Sequence, residues 1–571
     1  MRPRPIPIRL LHTSVSRYPR CTHSTPSTRR VVRRARWRAV AAAALAAGGA
    51  YLYDREFNAS ALSRSLRTGY IGLLYKINFS PAKADKIEGL HERVAKRLRW
   101  VVDTNQGMYL KLGQAIGLQA ALLPKPYREA FTHVFDKAPS VPYAEVVRVF
   151  RDDLGLDPLD IFDEFSAEPL ASASIAQVHK AKLRPEFGDP DQLVAVKVQK
   201  PAIRKQMDWD LFSYRTLMWL AQKAFDLPLY FVADYVSAQM RLETNFLHEA
   251  ANARRCAELL AATPELCDDI YVPKVYGRAE GYPESDRVLV MEWVDGCRLN
   301  DKAQILAWGL DLRHVMDLAV NLNGAMTFTW GFLHSDPHPG NLLVRPHPTK
   351  KGRPQLIVLD HGLYITLGRR FREEYATLWR SLFVLDIPAI ERISKAWGLG
   401  IDPNMFASAI FLKPTHLKAG TAKAPLVPKT EYELQMEVKA QFKALLESEQ
   451  LIPRELIFVG RCQRMLQANN QLLGSPSERI NITARWAARG YAEFAGSRSL
   501  ADIGPTRWLR DRFDALVFRL TLWAIDWAFW WTSVRKRFGS GGWEDRIQEQ
   551  MERMAREEFG IEIDGNTAFL G

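Results

Sequence analysis

Apolar and polar positions along this chain follow two periods, and the points where the period changes divide it into segments. Residues 86–100 place Ile87, Leu90, Val94 and Leu98 at helical spacing with basic residues between them. From residue 161 the pattern shortens: residues 161–165, 169–181 and 194–199 read as strands joined by turns, the last of them alternating as Val194-Ala195-Val196-Lys197-Val198. Helical sequence fills 203–260, and 288–296 reads as a strand running into a loop. Residues 342–344 and 356–359 are apolar strands. The segment 345–355 between them holds enough Pro, Lys and Gly for a turn, so a hairpin would bring Asn341 and Asp360 to one end of the pair. An amphipathic helix is predicted over 371–383, and 403–571 reads as largely helical. Within that region, residues 508–538 are rich in Trp and Phe. Arg519 and Asp526 interrupt the most apolar part, which argues against a full membrane span and leaves an interfacial helix or a packed core helix open. Residues 543–559 read as a charged surface helix. The succession of segments is that of an α+β protein.

The polar loop between the strands carries the chemistry. It reads His334-Ser335-Asp336-Pro337-His338-Pro339-Gly340-Asn341, and Asp360-His361-Gly362 closes the following hairpin. A His-x-Asp loop, an Asn five residues after the Asp and a strand ending in Asp-x-Gly form the grammar of a kinase active site. Asp336 is suited to accept a hydroxyl proton or to orient a nucleophile. Asn341 and Asp360 offer the hard oxygen ligands that Mg²⁺ on ATP phosphates requires. Lys197, alone on its alternating strand, matches the lysine that holds the α- and β-phosphates. Glu243 and Glu249 are its candidate partners, with Glu249 favoured. The 52 residues from Lys197 to Glu249 require inserted helices. The small residues Ala171, Ser172, Ala173 and Ser174 would let backbone N–H groups approach phosphates, in a loop stiffer than a glycine-rich one. The backbone of Glu292 and Val294 stands where a hinge would meet adenine. The implied ligands are ATP and Mg²⁺. After Gly362 the chain enters a helix within about ten residues, with no Ala-Pro-Glu and no long activation loop, which argues against a protein substrate.

Charge alters this picture only at the N-terminus. Of the formal net charge of +14, residues 1–38 carry +11 (eleven Arg, no Lys, Asp or Glu), leaving +3 for the other 533 residues. The basicity is a tail rather than a patch on a fold, so no nucleic-acid partner is expected. An acid-free segment rich in Arg, Ser, Thr and Pro has the composition of a mitochondrial presequence. Residues 39–53 follow without a charge. As a helix they extend about 22 Å against a hydrocarbon core of about 30 Å, so the expectation is a short, weakly hydrophobic transmembrane anchor, with a cleaved sorting segment or a soluble alanine helix as the alternatives. Five scattered cysteines without CxxC spacing point to reduced thiols rather than to a disulfide framework or zinc site.

Taken together, Lys111-x-Gly113-Gln114, the alanine-rich loop, Val-Ala-Val-Lys197, Phe246-Leu247-x-Glu249-Ala-x-Asn252 and His334-x-Asp336-Pro-His-Pro-Gly-Asn341 resemble the UbiB (aarF-domain) atypical kinases over residues 85–385. Asp360-His361-Gly362-Leu363-Tyr364 is similar to a mitochondrial inner-membrane subgroup of that family. The resemblance implies a bilobal protein-kinase-like fold whose helical Lys-x-Gly-Gln extension covers the usual substrate groove, with Lys111, Gly113 and Gln114 at the site and Glu243 as a partner for Lys111. The family commonly has Glu-x-Asp where this chain has Glu243-Thr244-Asn245. It further implies Mg-ATP binding, ATPase activity, and a role in coenzyme Q and lipid homeostasis or distribution, with an inner-membrane lipid or quinone-related small molecule as partner. An ATP-gated, catalytically weak lipid-handling scaffold is the alternative, and a protein kinase a distant third.

The expected division is a presequence (1–38), an anchor (39–53), a helical extension (54–160), an N-lobe with inserted helices (161–300), a C-lobe core with the catalytic and metal loops (301–402) and a helical C-terminal region (403–571). The expected location is the mitochondrial inner membrane. If 39–53 spans it after matrix import, the body faces the intermembrane space.

Overall fold

The computed structural model of the chain describes residues 26–58, 60–78, 87–111, 113, 126, 129–130, 139–184, 192–225, 230–399, 403–412, 453–497 and 504–536. Two compact units are present, residues 1–63 and 64–571. In the first, the helix Pro26–Phe57 runs continuously through the junction expected at residue 38. Val40, Leu45, Tyr51, Leu52 and Tyr53 are exposed along it. The buried carboxylate of Asp54 accepts hydrogen bonds from the N–H groups of Leu62 and Ser63 (2.8 and 2.9 Å), satisfying donors at the start of the next helix. Among the described residues no helix is long and apolar enough to cross a membrane. The transmembrane anchor expected at 39–53 is therefore not found. Fifteen small, weakly apolar residues fall short of the roughly 20 that a helix needs to span the hydrocarbon core. The intermembrane-space placement, which depended on that span, loses its argument. Most of the expected presequence, and the charged helix at 543–559, lie outside the described residues.

The second unit is built around two sheets. The first is antiparallel: β1 (Phe162–Phe165), β3 (Ala176–Leu183), β4 (Leu193–Gln199), β7 (Val288–Glu292) and β6 (Val275–Tyr276) lie in that order, with β2 (Ala171–Ser172) pairing β3. Val194, Val196 and Val198 alternate into a core with Val288 and Val290, against Val146, Val149 and Phe150 of the helix Tyr143–Leu154. That helix precedes residue 161, so the N-lobe core begins earlier than expected. The second sheet runs β5 (Ile270–Tyr271), β11 (Pro354–Val358), β10 (Leu342–Pro346) and β8 (Cys297–Arg298), and β9 (Phe332–His334) pairs β12 (Tyr364–Thr366). The hairpin β10–β11 has the register Leu342↔Val358 through Pro346↔Pro354, placing Asn341 and Leu359 side by side at its open end. A second, larger core fills the space below. It includes Leu318 and Met316 from the helix Leu312–Gly324, Trp379 from Arg369–Val384, Cys462 and Leu466 from Arg454–Leu472, and Trp486 from Arg479–Ser497. The helices after residue 402 thus share the C-lobe core.

The long helix Pro505–Lys536 presents two faces. Phe518 and Leu522 are buried in the C-lobe core, while Leu509, Phe513, Leu516, Leu520 and Trp523 are exposed. Cys256 and Cys462 are buried free thiols, Cys267 is an exposed one and Cys297 is half-buried.

Candidate active site

Lys197 is positioned by the pairing of β4 between β3 and β7. Its ammonium donates to both carboxylate oxygens of Glu249, at 2.7 and 2.8 Å, and lies 3.7 Å from Asp360 Oδ2. Of the two candidate acids, the partner is Glu249, on the buried face of the helix Phe246–Ala261. The inserted helices Pro201–Phe225 and Tyr230–Glu243 fill the sequence between them. Burial alone would lower the Lys197 pKa, but Asp360 and Glu249 outweigh it and hold the ammonium above its ordinary range. Burial would likewise raise Asp360. Lys197 and Lys111, with the Gly362 N–H, hold it below the usual carboxylate range.

Glu243 pairs with Lys111 of the N-terminal extension. Burial works against the Lys111 charge, and Glu243, Asp360 and Asp336 together keep its pKa raised. Gly113 is buried beside it, and Gln114 lies outside the described residues. Asn245, where the family commonly has Asp, caps the Glu249 helix: its side chain accepts from the N–H groups of Leu247 (3.0 Å) and His248 (3.4 Å). Asn and Asp are equally good caps, so the substitution leaves this task intact.

The catalytic loop and the metal loop are tied together by His334. Its Nδ1 accepts from the Asp336 N–H at 3.2 Å, so its Nε2 carries the proton that it donates to the Asp360 carbonyl at 2.7 Å. Asn341 donates through Nδ2 to the Asp336 carbonyl (3.2 Å), which turns its amide oxygen away from the loop. Asp360 Oδ1 accepts from the Gly362 N–H at 2.9 Å. A Cβ on Gly362 would lie 3.2 Å from Asp360 Oδ1, 3.6 Å from Glu243 Cγ and 3.9 Å from Glu249 Oε2, so a side chain there would crowd the carboxylates. His361, in the place of the usual Phe, points into the core. Its Nε2 donates to Val358 O (3.1 Å) and its Nδ1 accepts from Tyr364 (3.0 Å). Burial, with His334 nearby, depresses its pKa to about 3, so the ring is neutral. Asn252 donates to the His361 carbonyl at 2.9 Å, anchoring the metal loop to the Glu249 helix.

Two expected contacts take a different form. Ala173 donates its N–H to the Ala176 carbonyl (2.8 Å), so this amide closes the loop rather than facing a phosphate. The loop is further clamped by Lys200, whose ammonium donates to the carbonyls of Ala173 (2.5 Å) and Pro139 (2.8 Å). Burial depresses the Lys200 pKa to about 8. Ala171 and Ser172 pair with Val178 and Gln177, and the hydroxyl of Ser174 is buried without a partner among the described residues. Glu292 spends its N–H on the Lys274 carbonyl (2.8 Å), leaving only its own carbonyl for a ligand, with Val294 just beyond the strand end.

The helix Arg454–Leu472 supplies residues that sequence reasoning missed. Arg461 reaches Asp336 Oδ1 at 3.3 Å. Cys462 Sγ donates to the His334 carbonyl at 3.2 Å, its thiol pushed up to about 12 by burial. Asn469 donates to the Pro337 carbonyl at 3.2 Å. A signal was present: Gln463, Gln467 and Asn470 recur at i, i+4 and i+7, and a polar stripe where a helix turns inward marks something it must hydrogen-bond.

A family model described as the ABC1 atypical kinase-like domain matches residues 133–394. An ABC1 family protein of Schizosaccharomyces pombe is 38% identical over 445 residues, covering 77% of this chain and 81% of its own. The chain belongs to the ABC1 (AarF-domain, UbiB) atypical kinase family. ABC1 family protein lscO of Purpureocillium lilacinum is 33% identical over 549 residues, covering 89% of each chain, and AarF domain-containing protein kinase 1 of Gallus gallus is 29% identical over 478 residues, covering 81% of this chain and 89% of its own. The kinase-like α+β fold agrees with membership of the ABC1 family.

Among the described residues no group of three or more His, Cys, Asp or Glu side chains gathers to cage a metal. The Asn341 amide oxygen and the Asp360 carboxylate are the donors available, and two hard oxygens suit a Mg²⁺ whose remaining ligands are phosphates and water. The donor set fits Mg-ATP.

Proposed function

We propose that this protein is a Mg-ATP-dependent atypical kinase or ATPase of the mitochondrial inner membrane, acting on a lipid- or quinone-related small molecule in coenzyme Q and lipid homeostasis. The observation that carries the nucleotide reading is the bidentate pairing of Lys197 with Glu249 beside Asp360. It fixes an ammonium where phosphates would need one, next to a carboxylate kept ionised for a metal. Bound Mg-ATP would supply the phosphoryl group and the ADP leaving group. Asn341 and Asp360 would hold the metal. Asp336 would take the proton of the attacking hydroxyl or water, with its backbone fixed by His334. The acid-free, arginine-rich residues 1–38 support mitochondrial import.

A second reading, an ATP-gated lipid-handling scaffold, draws support from the Lys111–Glu243 pair, which sets a lysine of the extension within the field of Asp336 and Asp360. The test is Mg²⁺-dependent ATP turnover by the full chain, with and without vesicles of inner-membrane lipid composition. Wild type is expected to turn over ATP faster with vesicles, and Lys197→Ala and Asp360→Asn to lose that turnover. Tight nucleotide binding without turnover in any lipid would decide for the scaffold.

A further inference from the structure

The helix Pro505–Lys536 is apolar on two sides, and its packing on the C-lobe accounts for only one of them. Phe518 and Leu522 are buried in the C-lobe core, with the Phe518 ring 6.1 Å from that of Phe383. Asp514 turns away from solvent and pairs with Arg380 at 2.9 Å. A helix that docks on a core needs one apolar stripe, with polar residues opposite. Opposite Phe518 stand instead Leu509, Phe513, Leu516, Leu520 and Trp523, each between 53 and 69% exposed. Steps of 4, 3, 4 and 3 residues separate them. At about 100° per residue these steps keep all five within an arc of about 80°, along about 21 Å of helix. The same steps lead on in the sequence to Trp527 and Trp530. Single exposed apolar residues are ordinary, but a row of five large ones marks a contact surface.

The charges beside the stripe decide what covers it. By helical spacing Arg510 lies on one flank and Arg512 and Arg519 on the other, and all three are exposed. None has an ion-pair partner among the described residues, and Arg512 lies over the Trp508 ring at 4.3 Å. Asp514 is already engaged by Arg380, and by spacing alone positions 511 and 526 fall outside the arc. The rim over residues 509–523 is therefore of one sign. A second copy of the chain would bring the same arginine rim against the first, with like charges facing each other or left unpaired. Anionic headgroups would pair all three arginines, while the apolar row sinks between them, as in an amphipathic helix lying in a membrane interface. Arg519 and Asp526 argue against a helix that crosses the bilayer. They suit one that lies in its plane, where positions outside the arc stay at headgroup level.

We propose that the outer face of the helix Pro505–Lys536 docks on a bilayer surface rich in anionic lipid, with Leu509, Phe513, Leu516, Leu520 and Trp523 seated among the acyl chains and Arg510, Arg512 and Arg519 on the lipid phosphates. The inner face of the helix keeps its packing on the C-lobe, so docking brings the C-lobe itself to the bilayer without a spanning segment. The inference needs neither nucleotide turnover nor a mitochondrial address, so it stands or falls apart from the function proposed above. It supplies a means of holding a lipid surface to a chain in which no described helix crosses one. The arginine contacts make docking weaker at high salt, and the apolar row supplies the part that salt does not screen.

The experiment is flotation of the full chain with phosphatidylcholine vesicles, prepared with and without phosphatidylglycerol. We expect the wild type to bind at least tenfold more tightly when phosphatidylglycerol is present. The double variant Leu516→Glu, Leu520→Glu sets two carboxylates in the stripe and should weaken that binding at least tenfold. Arg512→Gln with Arg519→Gln should remove most of the preference for phosphatidylglycerol. The basic residues 1–38 are present in every variant, so only differences between variants are read. All four substituted side chains are exposed, and thermal unfolding at the wild-type temperature checks that the fold is kept. Phe513→Ser, a milder change in the same stripe, should weaken binding severalfold and keeps the test open if the double variant fails to fold. A wild type that ignores both kinds of vesicle overturns the proposal, and so do stripe variants that bind within twofold of it. A wild-type dimer seen by light scattering, which the stripe substitutions convert to a monomer, overturns it as well and assigns the stripe to a second copy of the chain.

Discussion

The two ends of the candidate site are built differently. At the metal-loop end, Lys197, Glu249, Asp360, Lys111 and Glu243 form a compact set of alternating charges. The Lys197, Glu243 and Glu249 side chains are 16%, 10% and 2% exposed, Lys111 and Asp360 are 23% and 39% exposed, and what sets this end apart is that each charge has a close opposite. At the catalytic-loop end, Asp336 and Arg461 are 24% and 23% exposed and share one contact of 3.3 Å. Buried charges persist only when paired, and the bidentate Lys197–Glu249 pair, with the neighbouring Lys111–Glu243 pair, fixes the first end before any ligand arrives. The second end is held mainly through its backbone, by His334, Cys462 and Asn469, while its side chains stay available. Under the proposed kinase reading, a rigid end for the nucleotide facing a looser end for the acceptor would suit an enzyme whose nucleotide is constant and whose second substrate must enter and leave.

The sharpest way to break this comparison is to strike each end separately. Asp336→Asn should lower turnover by about 10²–10⁴-fold, the usual contribution of a general base, and leave nucleotide affinity where it was. Lys197→Ala should do the reverse first, weakening nucleotide binding and leaving Glu249 buried without its cation. Equilibrium binding and single-turnover rates on the same samples separate the two. If Asp336→Asn weakened binding as much as Lys197→Ala, the division of labour would not exist.

The rigidity of the metal-loop end can be tested through His361. Its folded pKa, about 3, lies below the ordinary 6.5, so between those values the unfolded chain binds more protons and stability rises with pH. Acidifying from pH 6.5 to 5 should therefore cost the wild type about 2 kcal/mol through this group. His361→Phe removes that dependence. At pH 7 it should cost about 1–3 kcal/mol, because Val358 O loses its donor and Tyr364 one of its partners. Denaturant midpoints at pH 7 and 5 should show a smaller acid-induced loss in the variant. An identical loss in both would mean His361 is already charged or exposed.

At the other end, Asn469→Ala removes the donor to the Pro337 carbonyl. A net cost of about 1 kcal/mol is expected, with slower turnover at unchanged nucleotide affinity. Unchanged turnover would show that the C-terminal helix does not position the catalytic loop.

The difference between the ends also governs what the sequence disclosed. Lys197, Asp336, Asn341 and Asp360 lie in short local patterns set by strand alternation and a hairpin, and local patterns can be read one residue at a time. The choice of Glu249 over Glu243 followed from the same motifs, although Lys111 coming to Glu243 depends on the extension folding back. Arg461, Cys462 and Asn469 were invisible because they approach the loop from a helix more than 100 residues downstream, with only a buried polar stripe to announce it. One of the amides expected to be free at 171–174, that of Ala173, is engaged within the loop for a related reason. An alanine-rich loop keeps its shape by internal hydrogen bonds, as Ala173 to Ala176 shows, where a glycine-rich one would stay open. For the anchor expected at 39–53, the helix that contains it is 32 residues long, yet no helix among the described residues is both long and apolar enough to cross a membrane.

The smallest expected effect concerns Asn245, at the seam between Glu243 and Glu249. Its side chain satisfies two amides at the start of the helix that carries Glu249, at an exposed position where water competes. Asn245→Ala should cost about 1 kcal/mol of stability. Asn245→Asp should restore or exceed the wild-type value, since a carboxylate at a helix N-terminus adds a favourable interaction with the helix dipole. Both variants should leave nucleotide affinity within twofold, because Glu249 is held by Lys197 as well as by its helix. Thermal unfolding and nucleotide titration of the pair distinguish a cap from a ligand. A cap moves the first measurement and spares the second. If Asn245→Ala instead raised the Mg²⁺ concentration needed for nucleotide binding, Asn245 would belong with the metal ligands, and the rigid end of the site would extend one turn further than its ion pairs indicate.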